Sequence, residues 1–284
     1  MNLIFIIGCG DIGLRVARLW QGRGATVQAL ARSDEAAARL SGAGITPVRG
    51  DLDIPTTLAT LPLNGATVYY FAPPPTQGDT DPRMRAFTAA GLKPERVVYI
   101  STSGVYGDRN GAWVDEDTPP APATDRARRR LDAETVLRAW GREQGVRVNI
   151  LRVGGIYGPG RWPLERLQAG MPVLREEECG YTNRIHADDL AAICVAAAAR
   201  GGDDRIYNVS DGSNGTMTQY FYAVADRFGL PRPPALTLAQ AMQQLSPAML
   251  SYLTESRRMD NRRMLQQLGV TLRYPDLASG LKNV

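Results

Sequence analysis

The sequence predicts an α/β fold, a doubly wound parallel sheet with a small C-terminal lobe, on three observations. Short, strongly apolar runs recur along the chain, among them Leu3-Ile4-Phe5-Ile6-Ile7, Thr67-Val68-Tyr69-Tyr70-Phe71-Ala72 and Arg96-Val97-Val98-Tyr99-Ile100. Continuous apolar character, rather than alternation, marks strands buried on both faces, as in a parallel sheet. Segments with helical patterning separate these runs, the rhythm of a βαβ architecture. The third observation is the order at the start of the chain. A strand leads into Gly8-Cys9-Gly10-Asp11-Ile12-Gly13, then an amphipathic segment from Leu14 to Gln21, then a second strand from Thr26 to Leu30.

That order is the one a dinucleotide-binding turn requires. Gly8 permits the tight turn, Gly10 lets the backbone approach a pyrophosphate, and Gly13 lets the helix pack close to the strand. Asp11 and Ile12 fall inside the same turn, and the pyrophosphate would sit on free N–H groups at the helix start. A glycine-rich loop serving only the sheet is the plainer alternative, and the full strand, turn and helix context argues against it.

The second strand ends in Ala31-Arg32-Ser33. An NAD site usually places an acid here for the ribose 2′-hydroxyl; a cation and a hydroxyl suit a 2′-phosphate instead. Arg32 and Ser33 therefore favour NADP, and Asp34, next in the chain, keeps NAD as the alternative. A helix from Asp34 to Ser41 and a third strand from Gly44 to Val48 follow, ending in Gly50-Asp51-Leu52. The strand ending at Ala72 breaks into Pro73-Pro74-Pro75, and three prolines cannot continue a sheet. The chain must leave the C-terminal edge there, either as a ligand-bordering segment or as a stiff surface loop.

Arg83 to Leu92 is predicted helical, and the strand from Arg96 ends in Ser101-Thr102-Ser103-Gly104-Val105-Tyr106-Gly107. A long helix from Thr124 to Arg142 carries Ala133, Leu137 and Trp140 on one stripe, and a strand from Val146 to Val153 leads to Tyr157-Gly158-Pro159-Gly160. Asn183 to Leu190 opens an alanine-rich helix, Arg205 to Val209 is a strand, and Gly215 to Gly229 is helical with Thr216 or Thr218 as cap. The last fifty residues are expected to be helical. This organisation divides into residues 1–153, with 183–210 returning to them, as a dinucleotide-binding domain, and 154–182 with 211–284 as a substrate lobe.

Composition narrows the class. A net charge of +4 over 284 residues is too little to argue for nucleic acid. No run of twenty apolar residues suggests a membrane span, and the first residues do not read as a leader. Three widely spaced cysteines suit reduced thiols, and with them a cytoplasmic location, rather than a structural zinc; the single histidine, His186, excludes a multi-histidine metal centre. No metal is expected. Only Lys93 and Lys282 are lysines among the 33 basic residues.

Taken together, the glycine turn, Gly50-Asp51-Leu52, Ser101 to Gly107, Leu151-Arg152-Val153 with Tyr157 to Gly160, and Arg184-Ile185-His186-Ala187-Asp188-Asp189-Leu190 resemble one family. The chain is similar, over nearly its whole length, to the extended or atypical short-chain dehydrogenases/reductases of the NAD-dependent epimerase/dehydratase group. The resemblance implies a Rossmann sheet, with Gly8, Gly10, Ile12 and Gly13 along the pyrophosphate and Asp51 and Leu52 at the adenine. It places Ala72 and Pro73 beside the nicotinamide ribose, and Thr102, with Ser103, at the hydroxyl that polarises the substrate oxygen. A homodimer is one arrangement such relatives adopt.

The resemblance breaks at the reactive pair. The family uses Tyr-x-x-x-Lys on a helix, one turn apart, where the lysine's charge tunes the tyrosine for proton exchange. Here the residues four before Lys93 and Lys282 are Ala89 and Ala278. Aligning Arg130-Leu131-Asp132-Ala133-Glu134 with the family's pattern puts Arg126 at the tyrosine and Arg130 at the lysine. Arginine can replace lysine as a fixed cation, but Arg126 cannot donate a proton near neutral pH. Both are expected to bind an anionic group of cofactor or substrate. Tyr106, Tyr157 and His186 are the groups that could supply a proton or touch substrate; each also has a structural alternative, packing for the tyrosines and helix capping for the histidine. Asp81 is a candidate in place of the family's asparagine, against the alternative of a solvated turn acid.

Two functions stay open at this point. One is an NADP-dependent oxidoreductase or epimerase acting on a small hydroxyl or carbonyl compound, sugar-like ones included. The other is a catalytically inactive NADP-binding sensor or regulatory protein.

Overall fold

The computed structural model describes residues 3–245 and 247–282. Residues 1, 2, 246, 283 and 284, which fall inside the two predicted domains, lie outside them. Seven parallel strands form the central sheet: β1 (Ile4–Ile7), β2 (Val27–Ala31), β3 (Thr46–Arg49), β4 (Thr67–Tyr70), β5 (Arg96–Thr102), β7 (Arg147–Val153) and β11 (Arg205–Val209), with a two-residue β6 (Trp113–Val114) lying outside it. Their spatial order is β11-β7-β5-β4-β1-β2-β3. β1 is flanked by β2 on one side and β4 on the other, so the order reverses at β1, and the crevice at that reversal is where such sheets bind ligands.

Each inner strand is apolar because both its faces are covered. β1 is buried throughout, and Val97, Val98 and Tyr99 of β5 have no exposed surface. Helices α1 (Asp11–Gln21), α2 (Asp34–Gly42) and α6 (Ala187–Arg200) cover one face; α3 (Pro82–Ala89) and α4 (Asp125–Gln144) cover the other. The α4 stripe is buried as its spacing requires: Ala133 and Leu137 fully, Trp140 to 9%. Thr124 starts α4 by accepting from the Ala127 N–H, and Gly145, at φ 69°, ends it in the left-handed region.

Three sequence expectations are corrected. Residues 183–186 do not open the alanine-rich helix; Arg184–His186 form β10, pairing in parallel with β8 (Gly155–Tyr157), and α6 starts only at Ala187. β4 stops at Tyr70, short of the expected end at Ala72, although the Phe71 and Ala72 N–H groups still donate to the Ile7 carbonyl. The last fifty residues are not all helical. β12 (Ala235–Leu236) pairs with β9 (Val173–Leu174), and β13 (Arg258–Met259) pairs with β6, so the late chain returns as short strands to earlier segments.

A separate apolar cluster beyond the sheet gathers Tyr157, Leu167, Leu174, Phe221, Val224 and Leu253. Its main support is α7 (Met217–Arg227), started by a capping box in which Thr216 and Gln219 each bond the other's backbone N–H. After α8 (Leu238–Gln244) and α9 (Pro247–Thr254), the chain returns in α10 (Arg262–Leu268). Met264 and Leu268 of α10 pack into the main core beside α6.

Beneath β5 and β7 lies one buried ion pair. Arg152 and Glu134, each 3% exposed in its side chain, meet at 2.8 Å, and the Ser101 hydroxyl donates to the same carboxylate at 2.5 Å. Removing one partner strands a buried charge, so Arg152→Ala is expected to lower unfolding free energy by about 3–5 kcal/mol. The double variant Arg152→Met, Glu134→Leu should recover most of that loss, as urea midpoints of the two proteins would show.

Candidate functional site

The glycine turn is built on one close approach. Gly8 sits at φ +85°, and a Cβ placed there would lie 2.4 Å from the Ala72 nitrogen, so the turn and the end of β4 touch through backbone alone. Gly13 performs the predicted packing: a Cβ there would meet the Ile6 side chain and the Cys9 Sγ at 3.3 Å. Gly10 is the opposite case. A Cβ on it would meet nothing within 4 Å, and it stands as the N-cap of α1 with no side-chain cap bond. Open space in front of an uncapped helix start is what a pyrophosphate needs.

The carboxylate of Asp11 is spent on arginines. Arg15 Nε donates to one oxygen at 2.9 Å and Arg161 Nε to the other at 2.5 Å. Partial burial pushes this carboxyl up, but the bonds from Arg161 and Arg15 outweigh it and hold the group below its ordinary value. Arg15 also bonds Asp188 and the Pro159 carbonyl, so the glycine turn, the loop after β8 and the start of α6 form one ionic cluster.

The adenosine end follows the sheet edge. Arg32 is exposed, while Ser33 is the N-cap of α2, accepting from the Ala36 N–H at 3.2 Å. Asp51 Oδ1 accepts from the Asp53 N–H at 2.9 Å, and Leu52 is buried in the same cluster as Ala72. Arg83 ties the two walls together, bonding both oxygens of Asp53 and the Pro73 carbonyl at 3.1 Å. Gly8 to Gly13, Arg32, Asp51 and Pro73 thus stand along one stretch of the sheet's C-terminal edge.

Beyond the sheet edge opens a cleft of about 740 Å³, lined on one side by Thr102, Ser103 and Arg126 and on the other by Tyr157, Arg161 and Tyr220. Thr102 Oγ1 accepts from the Gly104 N–H at 3.2 Å and keeps its own proton to donate. Ser103 and Arg126 make no side-chain hydrogen bond among the described residues.

Several predicted residues stand elsewhere. Arg130 does not join Arg126 in the cleft; its guanidinium turns under β5 to the Ile100 carbonyl and the Tyr99 hydroxyl, because a half-buried guanidinium must find acceptors. Tyr106 is fully buried, and its hydroxyl donates to Asn208 Oδ1 at 2.7 Å. Burial pushes that hydroxyl up to about 12 against the opposing pull of Arg152, so it is no proton donor for the cleft. Asp81 is neither a substrate contact nor a solvated turn acid. It is wholly buried, capping α3 through the Arg83 and Met84 N–H groups at 3.0 and 3.1 Å.

His186 is a cap, as its structural alternative holds. Nδ1 accepts from the Asp188 N–H at 3.2 Å, and the ring lies between Tyr274, at 3.8 Å, and Tyr157, at 5.4 Å, behind the cleft lining and not part of it. Tyr157 does line the cleft, but as a wall: its hydroxyl donates to the Asp276 carbonyl at 3.1 Å, and burial pushes its ionisation up. The sequence reading missed Arg166, Arg184, Glu255 and Arg257, all in the lining. Arg184 lay within a quoted segment, yet nothing local marks it; its guanidinium rests 4.2 Å over the Tyr220 ring, a contact made only by tertiary packing.

Residues 4–210 match the family model described as the NAD dependent epimerase/dehydratase family. The protein y4nG of Sinorhizobium fredii is 32% identical over 46% of this chain, and Protein YeeZ of Escherichia coli K12 is 30% identical over 64% of it. The matches span 34% and 59% of those relatives' own lengths. A solved structure of a conserved protein of unknown function from Silicibacter pomeroyi superposes with a TM-score of 0.85 at 30% identity, covering 99% of this chain and 97% of that one.

Two predictions follow from these geometries. Gly10→Val fills the open cradle without touching the packed fold, so its melting temperature should stay within a few degrees of wild type. Calorimetric titration of the same variant should show dinucleotide binding weakened at least about a hundredfold, since the side chain takes the space of the pyrophosphate. The second concerns pH. Burial lowers the pKa of His186, so the folded chain holds it neutral while the unfolded chain protonates first as pH falls. Stability is then full above the unfolded value of about 6.5 and declines below it. Urea midpoints should fall more steeply between neutral and mildly acidic pH in wild type than in His186→Asn, which keeps a capping side chain but cannot titrate.

Proposed function

The chain belongs to the NAD dependent epimerase/dehydratase family, and on that premise we propose that it binds NADP and moves a hydride to or from a small hydroxyl or carbonyl compound, sugar-like ones included. The observation that carries this reading is the placement of two candidate sites on one edge of the sheet. The cradle over Gly10 and the hydroxyls of Thr102 and Ser103 both lie at the C-terminal edge of the sheet, on either side of β4. When bound, the nicotinamide supplies or accepts the hydride.

The chain's own residues do the rest in this reading. Thr102 and Ser103 donate hydrogen bonds to the substrate oxygen as charge gathers there, and the proton that this oxygen gains in reduction or loses in oxidation passes to or from solvent water in the cleft. Arg126, exposed at the cleft, adds a permanent positive charge at the position where the family carries tyrosine. Arg130 stays a fixed cation beneath β5, in the lysine's place along the helix but tied to a backbone carbonyl. Tyr157 and Tyr220 wall the cleft. Arg32 favours the 2′-phosphate of NADP over NAD.

A second reading rests on a specific observation. Tyr106, Tyr157 and His186, the groups best suited by type to exchange a proton, are all buried and hydrogen-bonded into the fold. That favours a chain that binds NADP to sense it and does no chemistry.

NADPH oxidation, followed at its nicotinamide absorbance against sugar nucleotides, aldoses and aldehydes, separates the two. The catalytic reading expects turnover with at least one class, reduced about a hundredfold by the double variant Thr102→Val, Ser103→Ala with cofactor affinity unchanged. Tight NADPH binding with no turnover across the panel would establish the sensor instead.

A further inference from the structure

At the cofactor's adenosine end the sequence left one ambiguity, an arginine and an acid side by side, and a residue from the neighbouring strand bears on it. Arg49 ends β3 and stands directly opposite Ala31, the last residue of β2, in the parallel register. Arg32, Ser33 and Asp34 follow Ala31 without a break. The Arg49 guanidinium crosses from its own strand to pair with Asp34, the first residue of α2. Four residues from two adjacent strand ends therefore form one cluster of two guanidiniums and one carboxylate, with the Asp53 carboxylate, already held by Arg83, within reach of the Arg32 charge.

The hydroxyl of the cluster and the nearest further arginine are already committed. Ser33 Oγ accepts from the Ala36 N–H, and Arg39 donates to the Cys9 carbonyl at 3.1 Å, holding α2 against the glycine turn. Arg32 forms no ion pair among the described residues. The Asp34–Arg49 pair is a loose one: the aspartate side chain is 99% exposed and the arginine 52%. Exposed pairs of this kind contribute little to stability and exchange partners readily. A phosphate carries more charge than a carboxylate and accepts from a guanidinium through two oxygens at once.

We propose that Arg49 is a second determinant of cofactor choice, leaving Asp34 to join Arg32 on the 2′-phosphate of NADP, with Asp34 acting as the competing anion that weakens this selectivity. Asp34 then does not signal NAD: without cofactor its carboxylate is paired from the next strand, and when Arg49 turns to the phosphate it is left in solvent, where it is already 99% exposed. The proposal rests on the NADP reading above.

The test uses the full chain and two small probes, adenosine 2′,5′-bisphosphate and 5′-AMP, which differ only in the 2′-phosphate. Calorimetry on wild type should give tighter binding of the bisphosphate. Arg49→Gln should weaken the bisphosphate about tenfold or more and leave 5′-AMP unchanged, the loss of one charge-assisted contact. Asp34→Asn should strengthen the bisphosphate severalfold, again without effect on 5′-AMP, and Arg49→Lys should restore part of the affinity. Equal loss of both probes in Arg49→Gln would mean a merely structural arginine, and no loss of either would mean an idle one; each overturns the proposal. A wild type that binds the two probes alike would instead overturn the NADP reading, and this inference falls with it.

Discussion

The structure depends first on the contact between Gly8 and Ala72. With only 2.4 Å between a would-be Cβ and the Ala72 nitrogen, no side chain can stand there, and the Phe71 and Ala72 N–H groups close the gap by donating to Ile7. This contact fixes how the first turn meets the end of β4, at the point where the sheet order reverses. It lays the open face of Gly10 beside the chain leaving β4 at Pro73. The open face at Gly10 is thus a consequence of backbone packing alone.

Arginine then does most of the fastening. Because only two of the 33 basic residues are lysines, the cations fastening the site's segments together are planar, permanently charged arginine forks that can hold several acceptors at once. Arg15 and Arg161 converge on Asp11 and draw the loop after β8 toward the glycine turn. Arg83 joins Asp53 to Pro73, and Arg152 holds Glu134 beneath the sheet. The same property removes a catalytic option: a cation that cannot lose its proton can hold charge but cannot shuttle it. The cleft is therefore rich in fixed positive charge and poor in groups that titrate near neutrality.

The sheet was legible because its strands are buried on both faces and so write themselves as unbroken apolar runs, and because the glycine turn has one structural solution. Helix starts were legible where a hydroxyl precedes the helix, as Thr124 and Thr216 do. The site was only partly so. Thr102, Ser103, Arg126 and Tyr157 do meet in one cleft, but Tyr106, Asp81 and His186 had been placed by nearness along the chain, and local sequence cannot tell a side chain aimed at the cleft from one aimed at the core. Asp81 shows the difficulty best: its two backbone bonds make it a cap, and Pro82 after it was the one local sign. Arg166, Arg184 and Arg257 reach the cleft from segments far apart in sequence, the first two through packing against α7 and the β8–β10 pairing, the third beside the β13–β6 pairing with its guanidinium on the Gly107 carbonyl. No spacing records such a meeting.

The central claim is that one dinucleotide lies along Gly8 to Gly13 with its nicotinamide facing Thr102 and Ser103. A crystal structure of the chain with NADPH tests it most directly. The account predicts pyrophosphate density against the start of α1 over Gly10, and the reactive carbon of the nicotinamide turned into the cleft beside those two hydroxyls. A nicotinamide turned away from that cleft, or a dinucleotide bound anywhere else on the chain, would contradict it.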